Sequence, residues 1–106
     1  MIKIRVFKDA DAVVEIKVSG HAGFVGPEGS DIVCSAVSSL VGYLGILFTE
    51  VLPGQAAVSA DDGFFSLQTE RVDRDSHVQV ILNGWVRAVT RLEENYKGWV
   101  KVDLRQ

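Results

Sequence analysis

The chain has 106 residues, which predicts a single domain over residues 1–106. Its 47% hydrophobic and 24% charged residues are typical of a globular protein and exclude disorder and collagen-like structure. One cysteine cannot form an intrachain disulfide, and with only two histidines it cannot complete a Cys₄ or Cys₂His₂ zinc site. The net charge of −3 argues against nucleic acid as the main partner, so we expect no direct nucleic-acid partner.

Two strands are predicted at the start of the chain. Apolar and polar residues alternate from Ile2 to Phe7, and they alternate again from Val13 to Ser19, where Val14, Ile16 and Val18 share a face. Asp9-Ala10-Asp11 between them indicates a turn, so the pair is predicted to form an antiparallel hairpin. The alternation also lacks the continuous apolar segment of a signal peptide, and we expect a cytoplasmic protein.

A glycine-rich loop is predicted next, over residues 20–30. The loop carries His21, one of the two histidines. Glycine permits positive backbone dihedrals and the close approach of another chain. We therefore expect the loop to close on a substrate through its glycines, which are Gly20, Gly23, Gly26 and Gly29.

A helix is predicted to begin at Ser30 or Asp31, both favourable N-cap residues, and to end at Pro53-Gly54. Cys34 then lies in its first turn. The segment from residue 32 to 52 is apolar and long enough to cross a membrane. Five polar residues interrupt it, however, and no basic residue flanks it, so we interpret it as a buried helix and expect no membrane partner.

The second half of the chain predicts two strands, a helix and a last strand. The strands, at residues 56–60 and 64–68, are joined by Asp61-Asp62-Gly63, a hairpin-turn signal. From Val78 to Tyr96 apolar residues recur at helical spacing, with Gln79 assigned to the polar face and Ser76 or Asp75 to the cap. A strand over residues 99–104 follows.

These elements predict an α+β fold in which two helices pack on a five-stranded, mostly antiparallel sheet in the order ββαββαβ. The edge strands of such a sheet can pair or pack with a second copy, so we expect a homodimer. The strand order does not follow from this pattern.

Cys34 admits several interpretations from the residues alone. A cysteine in an apolar helix is ordinarily a packing residue. Its position near a helix start, where N–H groups and the dipole stabilise an anion, instead favours a reactive thiolate, with His21 as a base on the preceding loop. A redox sensor would act by forming a bond between two chains, and it is the weakest alternative because this chain has no second, resolving cysteine. A metal site at His21, Asp31 and Cys34 is disfavoured by the flexible loop. We expect no metal or cofactor.

The motif around these residues resembles a known family. The segment Gly20-His21-Ala22-Gly23-Phe24, followed by Gly29-Ser30-Asp31-Ile32-Val33-Cys34 and by Ser38 four residues on, is similar to the signature of the bacterial ribosomal-processing cysteine protease family, Prp. Ser35 stands where the family pattern leads us to expect alanine, and the loop with Pro27 and Glu28 is particular to this sequence.

The resemblance implies a cytoplasmic, dimeric cysteine endopeptidase. Its substrate would be the precursor of the large-subunit ribosomal protein numbered twenty-seven, from which it removes an N-terminal extension. The resemblance assigns the catalytic histidine to His21 and the nucleophile to Cys34, with Asp31 and Ser38 as the motif's supporting residues. Helix capping accounts for Asp31 without a catalytic role. The alternative function is a non-catalytic ribosome-assembly or interaction module of the same fold.

Overall fold

The computed structural model describes residues 1–20 and 30–106. The elements in chain order are β1 (Ile2–Asp9), β2 (Ala12–Ser19), α1 (Ser30–Ile46), a π-helical turn (Leu47–Val51), β3 (Ala57–Asp61), β4 (Phe64–Gln68), α2 (His77–Asn95) and β5 (Val100–Arg105). The predicted order ββαββαβ is confirmed, and the predicted strand and helix bounds agree to within a few residues.

The five strands form one sheet in the order β3-β4-β2-β1-β5. The pairs β1/β2, β2/β4 and β3/β4 are antiparallel, which confirms the mostly antiparallel prediction. β5 pairs with β1 in parallel, because α2 carries the chain back to the far edge of the sheet.

Both helices pack on one face of this sheet. Alternate residues of β1, β2 and β4 point toward the helices and are almost completely buried, as are the inward residues of α1, the π-helical turn and α2. Together they form one hydrophobic core, whose least exposed members include Ile4, Val6, Ile16, Leu44, Phe48, Leu67, Leu82 and Val89.

A bulge in β2 corrects the predicted face of that strand. Phe7 pairs with Glu15 and Lys8 with Val13, so Val14 is skipped in the register. Val13 is therefore fully buried and Val14 is only half-buried. Simple alternation missed this, because an inserted residue reverses which residues point inward.

Gln79 corrects the predicted polar face of α2. Its side chain is fully buried rather than exposed, and it bonds to the main chain of Val13 beside the bulge. The N-cap prediction for the same helix is confirmed at Ser76, whose side chain accepts a hydrogen bond from the Gln79 N–H.

α1 differs from its prediction at both ends. Ser30 is already helical, so Ser30 and Asp31 lie inside the first turn rather than before it, and Cys34 is the fifth residue of the helix rather than part of its first turn. At the other end the helix changes to the π-helical turn before Pro53-Gly54.

The helical segment Ile32–Val51 is, within the described part of the chain, long and apolar enough to cross a membrane by length and composition. Here its inner side packs on the sheet through residues such as Val37, Leu44 and Phe48. Its outer side leaves Ile32, Tyr43, Ile46 and Val51 exposed.

Candidate active site

The only cysteine of the chain lies where α1 meets the sheet. Cys34 is 7% exposed and belongs to the hydrophobic core together with Val33 and Val37. The N–H groups of the first turn of α1, which have no partner within the helix, precede it by one turn. This burial is compatible with a packing cysteine as well as with a nucleophile, so the position of Cys34 alone does not decide between them.

The remaining predicted site residues fall into two groups. His21, Gly23, Gly26 and Gly29 lie outside the described residues. Asp31 and Ser38 lie in α1, where Asp31 is the second residue and Ser38 follows Cys34 by one helical turn and is exposed.

A groove beside α1 runs from Ser38 to the end of β2. It encloses about 230 Å³ and is lined mainly by apolar side chains and glycine backbone. Its wall consists of Ile2, Val18, Gly20, Val37, Ser38, Val41, Gly42, Ala60, Asp61, Gly63, Phe64 and Phe65. The groove therefore lies one helical turn from Cys34 and borders the residue that precedes His21.

Gly20 has a structural reason to be glycine. Its φ is +106°, and a Cβ there would lie 2.6 Å from the carbonyl oxygen of Met1. Its N–H donates to the carbonyl of Gly63 at 3.2 Å, which joins the end of β2 to the β3–β4 turn. Gly20 therefore fixes the point from which the chain leaves the sheet toward His21.

Sequence reasoning missed the contribution of the β3–β4 hairpin to this groove. The pattern predicts Asp61 and Gly63 as turn residues, which is correct for Gly63, whose φ is +71°, whereas Asp61 is the last residue of β3. The strand order brings their hairpin beside β2, so that Asp61, Gly63 and Phe64 form one wall of the groove. No local signal indicated this, because the pairing of β2 with β4 joins residues about fifty positions apart.

Among residues 1–20 and 30–106, no group of three or more His, Cys, Asp and Glu side chains is placed to hold a metal ion. In this part of the chain, the polar groups near the groove are the thiol, the backbone N–H groups of α1, the hydroxyl of Ser38 and the carboxylate of Asp61.

Comparison with known proteins shows which family the chain belongs to. The model of the family described as cysteine protease Prp matches residues 1–101. The chain belongs to this family. It is therefore a cysteine protease, and the sequence-based identification of the family is confirmed.

Solved structures share the Prp fold. The protein SMU.848 from Streptococcus mutans is 29% identical with a TM-score of 0.78, and the alignment covers 99% of this chain and 94% of that one. The ribosomal processing protease Prp from S. aureus, with a covalently linked product peptide, is 24% identical with a TM-score of 0.79. That alignment covers 99% of this chain and 100% of the S. aureus chain. The structure of S. aureus Prp with a substrate peptide is 21% identical with a TM-score of 0.82, and the coverage of the two chains is the same. No curated protein matches the chain.

Proposed function

We propose that this Prp-family protease cleaves a ribosomal protein precursor with Cys34 as nucleophile and His21 as base. The observation that carries the assignment of the nucleophile is the cysteine count. A cysteine protease needs a thiol, and Cys34 is the only thiol in the chain. The other histidine, His77, is exposed at the start of α2 and belongs to no wall of the groove, which leaves His21 as the base.

The proposed reaction has two steps. His21 takes the proton of Cys34, the sulfur attacks the scissile carbonyl carbon, and the C–N bond breaks as His21 returns the proton to the leaving amine. The resulting thioester is hydrolysed by a water that His21 deprotonates, which releases the acid and restores the thiol. The N–H groups in the first turn of α1 are the proposed donors to the oxyanion, because they have no partner within the helix.

The groove is the proposed binding site for an apolar side chain of the substrate. Ser38 follows Cys34 by four residues, which is about 6 Å along the helix axis. An extended peptide advances about 3.3 Å per residue. A side chain seated beside Ser38 would therefore belong to a residue one or two positions from the scissile bond.

The structures of S. aureus Prp support a peptide substrate, since that protein is described as a ribosomal processing protease and was crystallised with substrate and product peptides. By this similarity we propose that the substrate here is the N-terminal extension of the large-subunit ribosomal protein numbered twenty-seven. Such a substrate places the proposed activity in the cytoplasm.

We further propose that the protease acts as a homodimer. The exposed apolar residues Ile32, Tyr43 and Ile46 lie on the outer side of α1, and a second copy of the same helix would cover them. Sedimentation of the unmodified chain at micromolar concentration should give twice the monomer mass, and the double variant Tyr43→Glu/Ile46→Glu should sediment as a monomer. Sedimentation of the unmodified chain as a monomer would contradict this proposal.

The catalytic proposal is tested with a peptide that spans the extension and its junction, followed by mass spectrometry. We expect one cut, and we expect Cys34→Ala and His21→Ala each to reduce the rate by at least 10³-fold. The variant His77→Ala serves as the matched control and should cleave at the normal rate. Cleavage by Cys34→Ala at the unmodified rate would show that Cys34 is not the nucleophile. An uncut peptide with a correctly folded unmodified chain would contradict the proposed substrate.

A further inference from the structure

The sheet has a second face that no described element covers. Its residues are the strand positions that alternate with the core, and none of them is buried. We call this surface the open sheet face, and the register of the four strand pairs assigns to it Lys3, Arg5, Phe7, Glu15, Lys17, Ser19, Ala57, Ser59, Asp61, Phe64, Ser66, Gln68, Lys101, Asp103 and Arg105.

The charge of this face is opposite in sign to that of the whole chain. Five cationic side chains and three acidic ones lie on it, whereas the chain as a whole carries a net charge of −3. The prediction against a nucleic-acid partner depended on the total charge, and the total conceals this separation of charge between surfaces.

The cations are also placed next to one another. Arg5 lies directly opposite Lys17 across the β1/β2 pair and opposite Asp103 across β1/β5, where Lys3 is paired with Lys101. Within the described residues Lys3, Arg5 and Lys101 form no ion pair, whereas Lys17 pairs with Glu15 at 4.0 Å. Like charges directly opposite in a sheet destabilise it, and bound anions would relieve that repulsion. Neighbouring positions in this block are about 5 to 7 Å apart.

Aromatic and hydrogen-bonding side chains border the cationic block. Phe7 lies at one corner, with the Lys17 ammonium 5.8 Å from its ring centroid, and Phe64, which also borders the groove beside α1, is 43% exposed at the opposite corner. Ser66 and Gln68 supply neutral polar groups between the corners. Cations alone would suit an acidic peptide, whereas exposed rings and amide or hydroxyl groups match a polymer that also carries bases. Sheet faces of this chemistry bind single-stranded RNA.

From these observations we infer that the open sheet face binds single-stranded RNA. The phosphates lie over Lys3, Arg5, Lys17 and Lys101, and a base stacks on Phe7. The cationic block is on the opposite side of the sheet from Cys34, because α1 packs on the core face. A substrate could therefore be cleaved while RNA is bound.

The test measures the fluorescence anisotropy of a labelled 12-nucleotide single-stranded RNA of mixed sequence at 50 and 200 mM salt. We expect a dissociation constant in the micromolar range at the lower concentration. The triple variant Lys3→Gln/Arg5→Gln/Lys17→Gln should bind at least tenfold more weakly, with a salt slope shallower by about 2, since each phosphate contact contributes about 0.7. Phe7→Leu should weaken binding about fivefold with an unchanged slope.

Two controls make the result specific. The double variant Arg87→Gln/Arg91→Gln removes two exposed cations from α2 and should keep its RNA affinity within twofold. The triple variant should cleave the test peptide at the normal rate, which separates this inference from the proposed protease substrate.

Three results would overturn the inference. The first is equal RNA binding by the triple variant and the unmodified chain. The second is displacement of the RNA by a poly-glutamate peptide of equal charge, which would identify an acidic protein as the partner. The third is the absence of any binding at 50 mM salt. A triple variant that fails to fold is replaced by Arg5→Gln alone, for which we expect about a threefold loss of affinity.

Discussion

The side-chain amide of Gln79 forms two hydrogen bonds with the main chain of Val13. Val13 N–H donates to Gln79 Oε1 at 2.8 Å, and Gln79 Nε2 donates to the Val13 carbonyl at 2.8 Å. Nε2 also donates to the carbonyl of Arg71. The bulge at Val14 interrupts the β1/β2 ladder at this point, and the amide supplies the partners that an uninterrupted strand would have provided.

The first prediction concerns this contact. Gln79→Leu keeps the side-chain volume but leaves the N–H and carbonyl of Val13 without partners in a buried position. Each such group costs about 1–3 kcal/mol, so we expect the free energy of unfolding to fall by about 3 kcal/mol. Urea denaturation measures the loss.

Gln68→Leu is the matched control, because Gln68 is exposed on β4 and its side chain has no hydrogen bond within the described structure. It should change the free energy of unfolding by less than about 0.5 kcal/mol. Equal stability of the two variants would mean that the Gln79 amide does not hold the bulge.

The second prediction concerns Gly20, where β2 ends. Alanine at φ +106° is strained, and its Cβ would meet the Met1 carbonyl oxygen at 2.6 Å and Ile2 Cα at 3.0 Å, both of them backbone atoms. We expect Gly20→Ala to lower the free energy of unfolding by about 2 kcal/mol or more. We also expect a fall in kcat/KM, since His21 follows directly.

Gly84→Ala provides the comparison for Gly20. Gly84 lies within α2 and no atom stands within 4 Å of the position of its Cβ. Alanine should therefore stabilise the protein there by about 0.5–1 kcal/mol, because it is the better helix former. A Gly20→Ala variant as stable and as active as the unmodified chain would refute the structural role assigned to this glycine.

The third prediction tests the groove. Ser38→Leu places a branched side chain in its wall at an exposed helical position, so folding should be little affected while the peptide loses its site. We expect KM for the test peptide to rise at least tenfold with the Tm within about 2 °C. Ala88→Leu, at an exposed position of α2, should leave KM unchanged. Normal KM in Ser38→Leu would place the substrate elsewhere.

The fourth prediction concerns the contact between the two helices. Trp85 Nε1 donates to the carbonyl of Leu40 at 2.9 Å, which joins α2 to α1. Trp85→Phe removes that donor and part of a buried ring, and should cost about 2 kcal/mol in the free energy of unfolding. Trp99→Phe should cost less than about 1 kcal/mol, because Trp99 is half-buried and its indole has no hydrogen bond in the described structure. A larger loss at Trp99 would contradict this ranking.

The sequence by itself determined the elements and the chemistry of this protein. Alternation of apolar residues predicted the strands, helical spacing predicted α1 and α2, and Ser76 marked the start of α2 correctly. These features are local, so they can be read from neighbouring residues. The motif around His21 and Cys34 identified the family, which the family model then confirmed.

Only the tertiary structure decided which residues of each element face the core, the groove or the open sheet face. The bulge at Val14 turned Val13 inward in place of Val14, while Ile16 and Val18 stayed buried as predicted. The buried main chain of Val13 drew Gln79 into the core against the pattern of its helix. Strand order placed Phe64 beside α1 and created the groove, and the same order brought Arg5 opposite Lys17 on the open sheet face. These relationships join residues distant in sequence, because hydrogen-bond satisfaction and strand pairing are settled only when the sheet assembles.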